Sequence, residues 1–254
     1  MEVLAPLPAW MGVSGFVDIH CHALPGLDDG PRDGAAARSL VEAAARAGTA
    51  AIVATPHFNF QYDYWPDAVE ALLAQVEREC PSAPLLFRGC ELELNDEATR
   101  AFFAEPRRYT LNGSRYALVE PPLRFPPDRL APLLARFRAT GVTPVLAHPE
   151  RVPLFQERPE LAAAWVSAGG LLQITGCSFL GRMGRRAEAL AWDLLGAGLA
   201  AFVSSDAHDA AKRPPDLRPA FRAVYDRAGQ AAAARLFTHN PAAVVHDEPV
   251  ETAG

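Results

Sequence analysis

The chain has 254 residues, 50% hydrophobic and 21% charged, a composition that suits a soluble globular enzyme with one large α/β core. Its formal net charge of -6, with no run or stripe of Lys and Arg, argues against duplex nucleic acid as the main partner. Phosphate is not excluded, because bound metal ions reverse the sign of the local field.

Cys21, Cys80, Cys90 and Cys177 lie far apart with no Cys-x-x-Cys pair, which excludes a zinc ribbon and a thioredoxin-like motif. Reduced, mostly buried thiols in a cytoplasmic protein are expected. Met1 to Ser14 has neither a basic leader nor a long apolar stretch and reads as an arm ahead of one domain over 15–254, with Met11 an alternative start. No apolar run approaches the ~18 residues of a membrane span.

The first strand is predicted from the apolar, β-prone Phe16, Val17 and Ile19, and Pro25, Gly26, Gly30 and Pro31 break it into a loop. At that junction His20 and His22 are two apart, hence on one face, with Asp28 and Asp29 following. Such a set suits a divalent metal; a hydrogen-bonded strand rim is the plainer alternative. An Ala-rich helix over Gly34–Ala47 ends at Gly48, and a second strand, Ala50–Ala54, runs into Thr55-Pro56-His57. The aromatic loop Phe58 to Trp65 precedes a helix from Pro66, and a third strand within Leu85–Leu94 carries Glu91 and Glu93. The fourth strand, Arg115–Glu120, stops at Pro121-Pro122, and a helix over Pro127–Ala139 follows. Strands five to seven are predicted at Thr143–Ala147, Gly170–Ile174 and Leu199–Val203, with helices Glu160–Ala168 and Arg185–Leu195 between them. The last segment, Pro219–Val245, is predicted helical with a break near Asn240-Pro241.

This alternation predicts one parallel α/β domain. His20, His57, Glu91, Glu120, His148, Asp206 and His208 all fall at or just past the C-terminal end of a predicted strand. A closed parallel barrel gathers those ends on one face; an open doubly wound sheet would gather ligands at one switch point instead.

Five His and four carboxylates exceed the needs of a mononuclear zinc site and suit a two- or three-metal cluster, manganese or iron before magnesium. Metal-bound water ionises near neutrality, and paired ions can hold a phosphoryl group for in-line attack. Arg151 and Arg213 are placed to clamp phosphoryl oxygens, although surface salt bridging is an equal alternative. A Cys-x-x-x-x-x-Arg phosphate loop is absent, since Cys177 and Arg182 fall one residue short, and no Gly-x-Ser-x-Gly elbow occurs.

The segment Asp18-Ile19-His20-Cys21-His22 with Leu24-Pro25-Gly26-Leu27-Asp28-Asp29-Gly30-Pro31 strongly resembles the opening of bacterial PHP-type, manganese-dependent protein tyrosine phosphatases of capsule and exopolysaccharide operons. The similarity continues through Thr55-Pro56-His57, Gly89-Cys90-Glu91, Arg115-Tyr116-Ala117-Leu118-Val119-Glu120, His148-Pro149-Glu150-Arg151, Ser205-Asp206-Ala207-His208 and Arg213-Pro214-Pro215. The resemblance implies a distorted (β/α)7 barrel of the PHP type holding up to three divalent ions, manganese foremost, with iron, zinc or magnesium as alternatives. By matching positions the ligands would be His20, His22, Asp29, His57, Glu91, Glu120, His148, Asp206 and His208, with Arg151 and Arg213 on the phosphoryl group. It implies a metal-bridging hydroxide as nucleophile and, as substrate, the phosphorylated tyrosine-rich tail of a membrane-associated polysaccharide kinase. The alternatives are a PHP phosphatase of a small metabolite such as histidinol phosphate, or a non-catalytic metal-binding regulator. Two stretches depart from the family pattern: Ile174-Thr175-Gly176-Cys177 in place of an Asn-containing segment, and the aromatic loop.

Asp18 and Asp28 are candidates for orienting ligand imidazoles, with a strand-end hydrogen-bond role the alternative for Asp18. Glu93 is expected near Glu91 or at the rim, Glu150, between His148 and Arg151, could pair with an Arg but is assigned no role, and His239 and His246 are expected to have no role. The aromatic loop is expected either to stack on a phosphotyrosine ring or to pack on itself.

Overall fold

The computed structural model describes residues 15–252, so the N-terminal arm predicted over 1–14, Met11 included, lies outside the described residues. The chain begins with β1 (Phe16–Cys21), α1 (Gly34–Arg46), β2 (Thr49–Ala54), β3 (His57–Phe58), α2 (Pro66–Glu79), β4 (Leu85–Arg88) and β5 (Glu91–Glu93). Then come α3 (Asp96–Ala104), β6 (Tyr116–Glu120), α4 (Leu130–Ala139), β7 (Thr143–Ala147), α5 (Pro153–Glu157) and α6 (Glu160–Ser167). The last elements are β8 (Leu171–Thr175), α7 (Arg185–Gly196), β9 (Ala200–Ser204), α8 (Arg218–Ala234) and α9 (Asn240–Val245).

All strand pairs are parallel, in two sheets ordered β1-β2-β4 and β3-β5-β6-β7-β8-β9. The parallel α/β expectation holds and β2 matches the second predicted strand, but the short strand β3 after it was not predicted, and the third predicted strand is split into β4 and β5. Pro56, with no N–H to donate, separates β2 from β3, and its carbonyl accepts from Glu91 N at 3.0 Å. The third predicted strand breaks at Gly89, where a Cβ would lie 2.7 Å from Val53 Cγ1, so only glycine allows that approach. Past each break the chain moves from the first sheet to the second. The sheets also meet where β1 ends: Cys21 bridges Ala207 just beyond β9, His22 N donates to Ala207 O at 2.9 Å, and Asp206 N donates to His20 O at 2.8 Å.

Alternation along the strands separates two apolar clusters. One face carries Val17, Ile19, Val53, Leu118, Val145 and Leu171, closed below by Val244 and Val245 of α9. The opposite face, with Ile52, Leu92, Leu146 and Leu172, packs under helix residues such as Leu40, Phe102 and Phe137. The first face turns polar toward the C-terminal strand ends: Glu120 follows Leu118 on β6, and Gln173 follows Leu171 on β8, two residues along in each case. On β1 the register shifts by one extra residue between Asp18 and Cys21, a bulge that breaks simple alternation where His20 turns inward.

Two helices were not predicted, α3 and α5; α3 starts where the Asn95 side chain accepts from Ala98 N at 2.8 Å. The C-terminal helical segment changes where expected and has one further break. A π-helical stretch over Arg235–His239 gives way to α9 at Asn240, with Pro241 in the first turn, where a missing N–H costs nothing, and the further break lies at Gly229, whose φ of 85° leaves the helical region.

Candidate metal centre

Glu91, fully buried at the start of β5, is the hub. Its Oε2 lies 3.2 Å from His20 Nε2, 3.3 Å from His22 Nε2 and 3.0 Å from His57 Nδ1, while Oε1 lies 3.0 Å from His148 Nε2. Asp206 Oδ1 stands 3.5 Å from both His20 Nε2 and His22 Nε2. Asp29 Oδ1 is 3.2 Å from His208 Nε2 and 3.5 Å from His57 Nε2, and Glu120 Oε1 is 3.7 Å from His148 Nε2. All nine acids and histidines singled out in the sequence therefore come together. They form overlapping groups, His22-Asp29-His57-His208, His20-His22-Glu91, His20-His148-Asp206 and His57-Glu91-Glu120, with donor atoms within 4.8 Å of one another in each. His239 and His246 belong to none of these groups.

Whether this donor set fits metal ions can be tested on its own hydrogen bonds. His57 Nδ1 and Glu91 Oε2 are 3.0 Å apart and buried, yet neither has a hydrogen-bond partner; buried His208 Nε2 also lacks one. Atoms this close that do not bond each other are aimed at a common point, and a cation there would satisfy them. Burial and the facing charge of Glu91 push the Glu120 carboxyl up to about 8, an arrangement whose sign a divalent ion would invert. Burial works against ionisation of Glu91 as well, but His20 and His57 beside it hold its carboxyl well below the usual range. Mixed imidazole and carboxylate donors suit manganese, iron or zinc better than magnesium. The residues fit.

The backbone reinforces the placement. His148 and Asp206, each just after a strand, hold φ of 32° and 52°, in the left-handed region that non-glycine residues rarely adopt. Behind the imidazoles, His22 Nδ1 meets Asp28 Oδ2 at 2.7 Å and His20 Nδ1 meets Gln173 Oε1 at 2.9 Å. With those nitrogens as donors, Nε2 of each ring is left as the lone pair facing the centre. Gln173 escaped the sequence reading; its one visible signal was a lone amide in the apolar run Leu-Leu-Gln-Ile-Thr. Gln173→Leu is expected to weaken metal affinity by about 10–100-fold while leaving turnover at saturating metal largely intact. Metal titration of activity would show this as a shifted midpoint.

Other sequence expectations are corrected or narrowed. Asp18 touches no imidazole side chain: it accepts from Ser205 N at 3.0 Å and from the Ser205 hydroxyl, a strand-end role, and burial pushes it up to about 6. Glu150 has no Arg within salt-bridge reach among the described residues. Instead it accepts from Thr175 N at 3.0 Å and Ser178 Oγ at 2.7 Å, because its buried side chain turns toward the loop after β8. Glu93 is buried and accepts from the Asn95 amide at 2.7 Å. In the aromatic loop, Phe58 and Tyr64 pack on each other and on Tyr109, Tyr62 stacks over His57 at 6.1 Å, and Phe60 and Trp65 are exposed.

Residues 16–246 match the family described as Capsular polysaccharide synthesis, CpsB/CapC. The chain belongs to the CpsB/CapC family. Among its relatives, the tyrosine-protein phosphatase YwqE of Bacillus subtilis is 35% identical over 202 residues, 78% of this chain and 79% of that protein. The tyrosine-protein phosphatase CpsB of Streptococcus pneumoniae is 26% identical over 242 residues, 92% of this chain and 99% of that one. A solved structure from work on these two proteins, described as unique metal-dependent tyrosine phosphatases, superposes with a TM-score of 0.87 at 30% identity, covering 93% of this chain and 97% of its own. A D-hydantoinase from Thermus sp., with a TM-score of 0.62 at 12% identity over 94% of this chain and 72% of that one, shares the fold alone. The family resemblance drawn from the sequence thus agrees with the comparisons.

In this CpsB/CapC chain both predicted arginines reach the centre. Arg151 Nη1 and Arg213 Nη2 donate to the same oxygen, Asp206 Oδ2, the latter at 2.7 Å. A cavity of about 160 Å³ opens on the Arg151 side, lined by Glu120, His148 and Pro153 among others. A larger one, about 290 Å³, opens beside Arg213.

Proposed function

We propose that this protein is a metal-dependent phosphomonoesterase that removes phosphate from tyrosine on proteins. The observation that carries the reading is the pairing of Arg151 and Arg213 on one carboxylate oxygen at the edge of a nine-residue donor set. The tyrosine phosphatase names of its relatives, and the metal dependence stated for the solved structure, support it.

His20, His22, Asp29, His57, Glu91, Glu120, His148, Asp206 and His208 would hold up to three divalent ions, manganese first. When bound, such ions supply a water acidified to near neutrality and positive charge opposite phosphoryl oxygens. Arg151 and Arg213 turn their planar forks from Asp206 to the phosphoryl oxygens, stabilising charge as the ester bond breaks. Tyrosinate leaves readily, its conjugate acid having a pKa of about 10, so no dedicated general acid is assigned. We read the two parallel sheets as parts of one distorted PHP-type barrel. The substrate we favour is the phosphorylated tail of a membrane-associated polysaccharide kinase, met in the cytoplasm.

Manganese-loaded protein offered a phosphotyrosyl peptide and histidinol phosphate is expected to show the higher kcat/KM for the peptide. The opposite order would move the assignment to small metabolites, and no turnover of either would leave a metal-binding regulator.

A further inference from the structure

The cavity beside Arg213 lies between the loop that follows β8 and the loop that leads into α8, on the face where the strand ends gather their polar residues. Its wall is apolar, with Leu180, Met183 and Leu217, and its inner end is formed by Asp206 and Arg213. Charge is distributed unevenly around it. Asp206 already accepts from two guanidiniums, and Asp216 is held by Arg218 through two contacts of 2.8 Å. Arg182 and Lys212 also line the cavity, both exposed, and neither has a carboxylate within salt-bridge reach among the described residues. Arg182 faces Asp216 and Lys212 faces Asp209 only at longer range, so in a chain of net charge -6 the lining sets three cations, Arg182, Lys212 and Arg213, against two carboxylates, Asp206 and Asp216.

Both cations sit on braced loops. Arg182 N donates to Cys177 O at 3.2 Å, and Asp209 Oδ1 accepts from the backbone of Ala211 and Lys212 at 2.7 and 2.5 Å. A cavity that is apolar within, cationic at its rim and continuous with the reaction centre fits a group attached to the substrate close to the scissile ester.

We infer that this cavity receives an acidic side chain of the substrate polypeptide next to the phosphotyrosine, its carboxylate meeting Arg182 and Lys212 and its methylenes lying on Leu180 and Met183. The inference rests on the phosphotyrosine reading above. It makes Arg182 and Lys212 determinants of which phosphotyrosine is chosen, apart from the groups that act on the phosphoryl group.

The test uses manganese-loaded full-length protein and paired phosphotyrosyl peptides that differ only in Glu or Gln at the flanking positions, with phenyl phosphate as a reference for each enzyme. At low salt the wild type is expected to favour a Glu peptide by about three- to tenfold in kcat/KM, the range of one or two exposed charge pairs. In 1 M salt, where the Debye length is about 3 Å, the ratio should fall toward one. The Arg182→Ala/Lys212→Ala variant should show a ratio near one at any salt, and Arg182→Glu/Lys212→Glu should favour a Lys-flanked peptide. Because each result is a ratio within one enzyme, a partly misfolded variant still reports. Equal rates on Glu and Gln peptides by the wild type, or a preference that survives both double variants, would overturn the inference while leaving the phosphatase reading intact. A wild type that turns over neither peptides nor phenyl phosphate would overturn that reading instead.

Discussion

Glu91→Gln is expected to cost on the order of a thousandfold or more in turnover, together with much of the bound metal, while the fold is retained. The substitution keeps shape and volume, so the buried cavity around β5 is not opened. What changes is charge. Glu91 faces the imidazoles of His20, His22, His57 and His148 at 3.0–3.3 Å, and it takes part in two of the four donor groups. Held ionised by His20 and His57 against the effect of burial, it supplies a negative charge at the point where the donor groups overlap. An amide supplies none, and it turns an N–H₂ toward nitrogens that already face inward. The loss should exceed the 10–100-fold expected for a group behind a ligand, and excess manganese should fail to restore the rate, unlike in Gln173→Leu. Elemental analysis and turnover of an aryl phosphate, with far-UV circular dichroism as a check on folding, would decide. A variant that keeps its metal and stays within tenfold of wild type would remove Glu91 from the centre.

The contrast between Glu91 and Gln173 also marks how far the sequence could be read. Residues just after a predicted strand are placed by local pattern, and a parallel arrangement brings those ends together without any knowledge of the contacts between them. That is why His20, His57, Glu91, Glu120, His148, Asp206 and His208 could be grouped across 189 positions of chain, from 20 to 208 inclusive. Gln173 acts through a hydrogen bond to a residue 153 positions away, and a lone amide inside a strand carries no local sign of such a partner. Glu150 is a second case of this kind. Its neighbour Arg151 makes an ion pair one possibility from the sequence, but nothing local shows that the carboxylate accepts from Thr175 N and Ser178 Oγ and so holds the loop after β8. The passage of the chain from one sheet to the other follows the same logic. Pro56 and Gly89 were visible as residues, yet whether each ends a strand or merely passes it between sheets depends on which neighbour it faces.

Removal of divalent ions by a chelator is expected to abolish turnover and to lower the melting temperature by roughly 10 °C, both reversed by manganese. Six of the nine donor residues, His20, His22, Glu91, His148, Asp206 and His208, are buried, so the folded chain holds them in place before any ion arrives, and the unfolded chain does not. A ligand that binds only the folded state at 100–1,000 times its Kd stabilises by about 2.7–4.1 kcal/mol per site, and about 2–4 °C accompanies each kcal/mol for a chain of this size. Removing ions also leaves Glu91 and Glu120 facing one another without a cation between them, a repulsion that adds to burial in pushing the Glu120 carboxyl up. The two readouts should move together along a manganese titration, because the same donors serve folding and chemistry. If chelated and manganese-loaded protein melted at one temperature and hydrolysed an aryl phosphate at one rate, these side chains would be a self-satisfied polar core, and the proposed metal-dependent chemistry would fall with them.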